Sequence, residues 1–161
     1  MKNLNNRTNK KKYKGIWFFG LSGVGKTTAS EILKKKKKNI LIIDGDQVRK
    51  KISTDLGYTV QDRKIQLKRL LGLARIAIDS NIYPIVSCVL MNRKAQKQIV
   101  RFGIRLIRIE RSYSEAQKKN KVYKSTKNVV GKDIKQEKIN CENIFNKSDK
   151  KYFEKIKKLM N

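Results

Sequence analysis

The sequence predicts a three-layer α/β/α fold, with a central, mostly parallel sheet covered by helices on both faces. Three observations carry that expectation. Short apolar runs recur along the chain, at Ile16–Phe19, Ile40–Ile43 and Ile85–Val89, as strands buried inside a parallel sheet do. Segments of helical hydrophobic period separate them, and such alternation of strand and helix marks a parallel sheet. The first run also feeds directly into a glycine-rich loop with a helix expected behind it.

Met1–Lys14 is rich in Lys and Asn and reads as a basic flexible tail, leaving residues 15–161 as a single domain without internal repeats. Ile16–Phe19, aromatic and bounded by glycines, is the first strand. A helix from Lys26 to about Lys37 turns Ala29, Ile32 and Leu33 inward, and the Lys34–Lys38 run complements the negative end of its dipole. Ile40–Ile43 reads as a second buried strand, ending on Asp44-Gly45-Asp46. From Asp62 to Ser80, Leu67, Leu70, Leu71, Ala74, Ala77 and Ile78 repeat at helical spacing. Ile85–Val89 gives a third strand, Arg93–Phe102 a helix, and Arg105–Ile109 a fourth strand with a charged alternate face. The lysine-rich stretch from Ser114 to Lys138 offers few core residues. Ile144-Phe145 adds a short last strand, and Tyr152, Phe153, Ile156, Leu159 and Met160 mark a terminal amphipathic helix.

Composition excludes several chemistries. The 161 residues suit one domain with a real core. There is no histidine, which removes Ser-His-Asp triads, histidine acid–base catalysis and His-ligated zinc. Cys88 and Cys141 are too few and too far apart for a zinc cluster or a disulfide framework, so a reduced, cytoplasmic setting is the natural reading. No apolar run approaches the ~20 residues of a spanning helix, and no membrane association is expected. The net charge of +28 raises nucleic acid as a partner. Lysines outnumber arginines 31 to 10, however, and lysine is a hydrated point charge rather than a recognition fork. A solvated lysine coat and a polyanion-binding surface both fit that composition.

The strongest motif is Gly20-Leu21-Ser22-Gly23-Val24-Gly25-Lys26-Thr27, which satisfies G-x-x-x-x-G-K-[ST] between a strand and a helix. Its glycines let successive backbone N–H groups curl inward as an anion nest, and the helix N-terminus adds its own free N–H groups. Lys26 is placed to bridge the β- and γ-phosphates of a nucleoside triphosphate, and the Thr27 hydroxyl to ligate Mg²⁺. The chain is therefore expected to bind ATP with Mg²⁺ through a phosphate-binding loop.

The second informative segment is Asp44-Gly45-Asp46-Gln47-Val48-Arg49. Loops at the C-terminal ends of parallel strands share one rim, so this turn should face the phosphate loop. Asp44 and Asp46 could there hold metal-bound water or accept a proton from an attacking hydroxyl. Spacing alone fits equally an acidic turn capping a helix that begins near Gln47. Arg49, Arg63 and Arg69 each read either as surface cations or as forks for an anionic substrate. Arg63 follows Asp55-Leu56-Gly57-Tyr58-Thr59, whose aromatic could stack on a base.

Taken together, Gly20–Thr28, Asp44–Arg49, Asp55–Thr59 and Asp62-Arg63 resemble the adenylylsulfate kinase family, with its GLSGxGKTT loop, DGDxxR turn, DLGF[ST] segment and following DR. The likeness covers about residues 15–80 in consistent order and spacing. It implies a P-loop kinase fold that uses ATP and Mg²⁺ and transfers the γ-phosphoryl to the 3′-hydroxyl of adenylyl sulfate. Carried across, Gly20 to Thr28 hold ATP, and Asp46, Arg49, Tyr58 and Arg63 bind substrate. Tyr58 stands where the family has phenylalanine, and Asp44 and Asp46 support metal and nucleophile.

The second half departs from the family pattern. Gln66 stands where an asparagine is usual, and Val89-Leu90-Met91 where the family has Ile-Ser-Pro. Lys118-Lys119-Asn120-Lys121-Val122-Tyr123 matches the family's R-D-x-K-G-L-Y lid element only loosely; it makes residues 114–138 a basic lid with Lys121 as its substrate lysine. These departures keep a second acceptor class open, a sugar, nucleoside or polysaccharide precursor on the same kinase. A basic nucleic-acid binder with a vestigial nucleotide site is the alternative from another class. Homodimerisation is left open.

Overall fold

A computed structural model describes residues 12–124 and 127–160. Residues 1–11 of the basic tail lie outside the described residues. Five strands form one sheet in the order β2-β3-β1-β4-β5, and every pairing is parallel. β1 (Gly15–Phe19) is central and wholly buried. Its side chains alternate between two cores. Ile16 and Phe18 pack with α1 (Lys26–Lys34) and α6 (Lys150–Lys157) on one face. Trp17 and Phe19 pack with α3 (Val60–Asp79) and α4 (Arg93–Arg101) on the other. This is the expected three-layer arrangement.

Helix ends depart from the sequence reading for identifiable reasons. α1 stops at Lys34 rather than near Lys37, and Asn39 takes a left-handed φ of 59°. Beyond Leu33 the next inward positions are lysines, so nothing apolar anchors another turn, and like charges repel along it. α2 (Gly45–Lys51) begins earlier than Gln47 because the Asp44 carboxylate accepts the N–H groups of Asp46 and Gln47. α3 begins at Val60, with Thr59 and Asp62 forming a reciprocal capping box. α4 starts on the Asn92 cap, whose side chain accepts the N–H of Ala95.

β2 (Ile40–Asp44) is not the buried strand expected. Sheet order places it at an edge, where Leu41 is exposed and only Ile43 is fully covered. β3 (Tyr83–Cys88) and β4 (Ile104–Glu110) flank β1. The charged face of β4 is neutralised by pairing: Arg105 reaches Glu142 at 2.9 Å and Arg108 reaches Glu110 at 3.1 Å. β5 (Glu142–Phe145) closes the far edge.

The lysine-rich segment carries more core than its composition suggests. Within it lie α5 (Tyr113–Lys119), a 3-10 turn at Lys121–Lys124 and an isolated bridge between Val130 and Ile134. Ala116, Tyr123, Val129, Val130 and Ile134 are buried. Tyr123 donates its hydroxyl to the Ser22 carbonyl at 2.8 Å, which ties the segment to the phosphate loop.

Packing of this kind makes a direct prediction. Ile107 in β4 is fully buried, whereas Ile76 on α3 is 64% exposed. Ile107→Ala should lower stability by about 2–5 kcal/mol and Ile76→Ala by less than about 0.5 kcal/mol. Urea unfolding monitored by circular dichroism separates the two.

Candidate active site

The phosphate loop leaves the C-terminal end of β1 and runs into α1. Gly20 (φ 146°) and Gly25 (φ 100°) hold conformations that side chains avoid. A Cβ on Gly20 would collide with the Ile109 carbonyl oxygen, and one on Gly25 with the Asn146 amide. The loop therefore fits against β4 and the β5–α6 turn only because hydrogen occupies those points. Lys26 folds back across it and donates to the Gly20 and Leu21 carbonyls, both at 2.8 Å. Burial of its ammonium pushes its pKa down to about 8, an effect that Cys88, Asp46 and Asp44 nearby oppose.

Asp44 sits at the end of β2 and joins the loop to its neighbours. Its Oδ2 accepts from the Ser87 hydroxyl at 2.8 Å and the Thr27 hydroxyl at 3.3 Å. Its Oδ1 caps α2. The helix-cap reading of this turn holds for Asp44, whose other oxygen is turned to the phosphate-loop hydroxyl of Thr27. Asp46, one residue into α2, faces the same cavity.

That cavity has a volume of about 470 Å³ and runs across the C-terminal rim of the sheet. Ser22, Gly23, Gly25, Lys26, Thr27 and Thr28 line its middle, whereas Gly20, Leu21 and Val24 support the loop from behind. Asp44, Asp46, Arg49, Tyr58, Arg63 and Gln66 line the end beside β2 and β3. The Arg49 and Arg63 guanidiniums lie 4.7 and 5.6 Å from the Tyr58 ring centroid. Arg49 is buried and donates to the Gly57 carbonyl. Arg63 donates to the Tyr58 carbonyl at 3.1 Å and across to the Asn128 carbonyl at 2.8 Å. Burial and the neighbouring Arg49 charge lower its pKa, so this end is electrostatically short of an anion. Gln66 donates to the Gly45 carbonyl at 3.0 Å, and its Oε1 is buried without a partner.

Arg69 does not join this group; it forms a fork with Asp55 at 2.5 and 2.7 Å outside the cavity. The Lys121 side chain lies outside the described residues; its neighbours Lys119 and Asn120 line the cavity.

Several lining residues escaped the sequence reading. Ser87 pairs in register with Asp44 across β2 and β3, so its position at a strand's C-terminal end was a usable signal. Arg111 directly follows β4 by the same rule; it donates to the Ser148 hydroxyl at 2.6 Å, and its Nε is buried without a partner. Asn146, Ser148, Tyr152 and Phe153 line the end beside β4 and β5. Asn146 donates to the Val24 carbonyl at 2.7 Å, clamping the β5–α6 turn onto the phosphate loop.

Such a site, an anion nest between a cationic end and a mixed polar–aromatic end, can hold a triphosphate with a second anionic molecule in line beside it. The family model described as adenylylsulphate kinase matches residues 12–142. The adenylyl-sulfate kinase of Vibrio parahaemolyticus is 33% identical over 90 residues, covering 53% of this chain and 43% of that protein. That of Buchnera aphidicola subsp. Schizaphis graminum is 34% identical over 88 residues, or 52% and 42%. The chain thus matches less than half the length of these curated relatives. The structure of the Mycobacterium tuberculosis APS kinase CysC, in complex with AMPPNP and APS, shares the fold with a TM-score of 0.75. It is 20% identical, over 92% of this chain and 96% of that one. The family match begins ahead of β1 and ends in β5, taking in the phosphate loop, the carboxylate turn and the arginine pair, and the chain belongs to the adenylylsulphate kinase family.

Proposed function

We propose that the chain is an ATP-dependent kinase that transfers the γ-phosphoryl group to the 3′-hydroxyl of adenylyl sulfate. The observation that carries this reading is the shared cavity: the Lys26 loop and the Arg49–Tyr58–Arg63 group line one space from adjacent strand ends. Tyr58 offers a face for the acceptor's adenine, and Arg49 and Arg63 offer charge to its phosphosulfate. ATP then lies with its phosphates on the loop and its nucleoside toward Arg111, Ser148 and Phe153.

Thr27 and Asp44 would hold Mg²⁺. Two oxygen ligands 3.3 Å apart suit a hard cation that retains most of its water. Held there, Mg²⁺ would supply positive charge against the triphosphate. Lys26 releases the Gly20 and Leu21 carbonyls to meet the same phosphates. Asp46 is the acceptor for the hydroxyl proton as the acceptor oxygen bonds to the γ-phosphorus and the bond from that phosphorus to the β–γ bridging oxygen breaks, releasing ADP, with no covalent enzyme intermediate. Most of the rate enhancement would come from placing the two reactants in line.

A second acceptor class keeps support from two features. Val89 and Leu90 bring apolar surface to the cavity. The unpartnered Gln66 Oε1 beside them suits a further hydroxyl, as on a sugar.

An ADP-release assay with Mg·ATP and a panel of adenylyl sulfate, nucleosides and sugars decides the acceptor. Adenylyl sulfate should give a 3′-phosphorylated product; turnover of another acceptor alone would overturn the assignment. Tyr58→Ala and Arg63→Ala should raise KM for the acceptor at least ~10-fold, while KM for ATP shifts less than about threefold. Lys26→Met should lower kcat/KM by more than about 100-fold with an unchanged circular dichroism spectrum. The depressed pKa of Lys26 sets a pH dependence. Above about 8 the free folded protein holds a neutral lysine, while the unfolded chain keeps its proton up to the ordinary 10.5. Folding stability from this group therefore rises with pH across that window. ATP affinity, which needs the ammonium, should weaken by up to ~10-fold per pH unit above 8, and isothermal titration in buffers of different ionisation enthalpy should show proton uptake on binding.

A further inference from the structure

Nine of the chain's 41 Lys and Arg residues collect at one end of the sheet. The kinase cavity occupies the C-terminal rim of the sheet, and the opposite rim gathers cations with little to neutralise them. Lys34–Lys38 close α1 there, and Lys157 and Lys158 close α6, the helix packed beside it. Lys14 enters β1 and Arg101 ends α4 on the same rim.

Backbone contacts make this one surface. Tyr83 at the start of β3 donates its N–H to the Asn39 carbonyl at 2.9 Å, and Lys37 lies 4.7 Å above its ring. Lys14 donates its N–H to the Gly103 carbonyl at 2.9 Å, and Arg105 reaches the Leu159 carbonyl at 3.1 Å. These nine cations are exposed, and no salt bridge among the described residues engages them. The nearby Asp79 is held by Arg75, and Glu142 by Arg105. Glu31 and Glu154 lie higher on α1 and α6. Five-residue strands separate this rim from the phosphate loop by about 15 Å.

We propose that this rim binds the phosphate backbone of a nucleic acid, without reading sequence and independently of the kinase cavity. Lysine point charges track a line of phosphates but supply no fork for base edges. A bilayer fits less well, because seven of the nine cations lie at the ends of α1 and α6, which expose no large apolar residue; the exposed Leu41, Ile76 and Val100 are scattered singly over β2, α3 and α4.

The test is fluorescence anisotropy with a labelled 20-base-pair RNA duplex of arbitrary sequence and the full chain, from 50 to 200 mM KCl. If about five phosphates are neutralised, affinity should fall ~500-fold over that range. Reversing Lys35, Lys36, Lys157 and Lys158 to Glu should weaken binding at least ~100-fold at 50 mM. Reversing Lys64, Lys68, Lys94 and Lys97, on the opposite layer, changes net charge equally and should cost less than about tenfold. Both variants should retain the wild-type circular dichroism spectrum and ATP affinity, and Lys26→Met should bind RNA as the wild type does. Equal losses in the two reversals would overturn the proposal by making net charge, not this rim, responsible. Tighter binding to vesicles containing phosphatidylserine than to RNA would overturn it in favour of a lipid surface.

Discussion

The carboxylate of Asp44 accepts hydrogen bonds from Thr27 on the phosphate loop, Ser87 on β3, and the Asp46 and Gln47 N–H groups that open α2. Three segments distant in sequence meet on one side chain, and their mutual placement decides whether the cavity is a single space. A carboxylate with both oxygens engaged has little freedom to rotate, so α2 leaves β2 at a fixed angle. That angle delivers Arg49, one turn later, under Tyr58. Gly45 completes the junction: a Cβ there would stand 2.9 Å from the Ser87 carbonyl oxygen, so the helix could not start so close to β3.

Much of this was legible beforehand because it rests on local rules. The loop motif, the apolar runs and the helical period of α3 each encode their own structure. β2 misled because an edge strand and a central one can share the same apolar sequence; only the order of strands in the sheet distinguishes them. The Ser114–Lys138 segment misled for the opposite reason. Its few apolar residues are separated by lysines in no regular period, yet Ala116, Tyr123, Val129 and Ile134 converge on the body of the domain. Arg111 stood at a strand end, but its contact with Ser148 carries no motif, since it depends on β4 and β5 lying side by side.

Cations in this chain serve distinct ends according to their surroundings. Lys26, Arg49 and Arg63 are drawn into a partly desolvated cavity with each other and two aspartates. Arg105 and Arg108 are consumed by carboxylates of the sheet itself. The lysines at the opposite rim remain exposed, and apart from Lys37 over the Tyr83 ring they act through the collective field.

The indole N–H of Trp17 meets the Cys88 thiol at 3.2 Å beneath the cavity floor. Burial pushes that thiol up to about 11, and it lies close enough to Lys26 for the two to influence one another. Trp17 is the sole tryptophan of the chain. The protein's tryptophan emission therefore originates at one point, under the phosphate loop, with no second indole to dilute it: the molecule carries its own optical probe where the nucleotide is expected to sit.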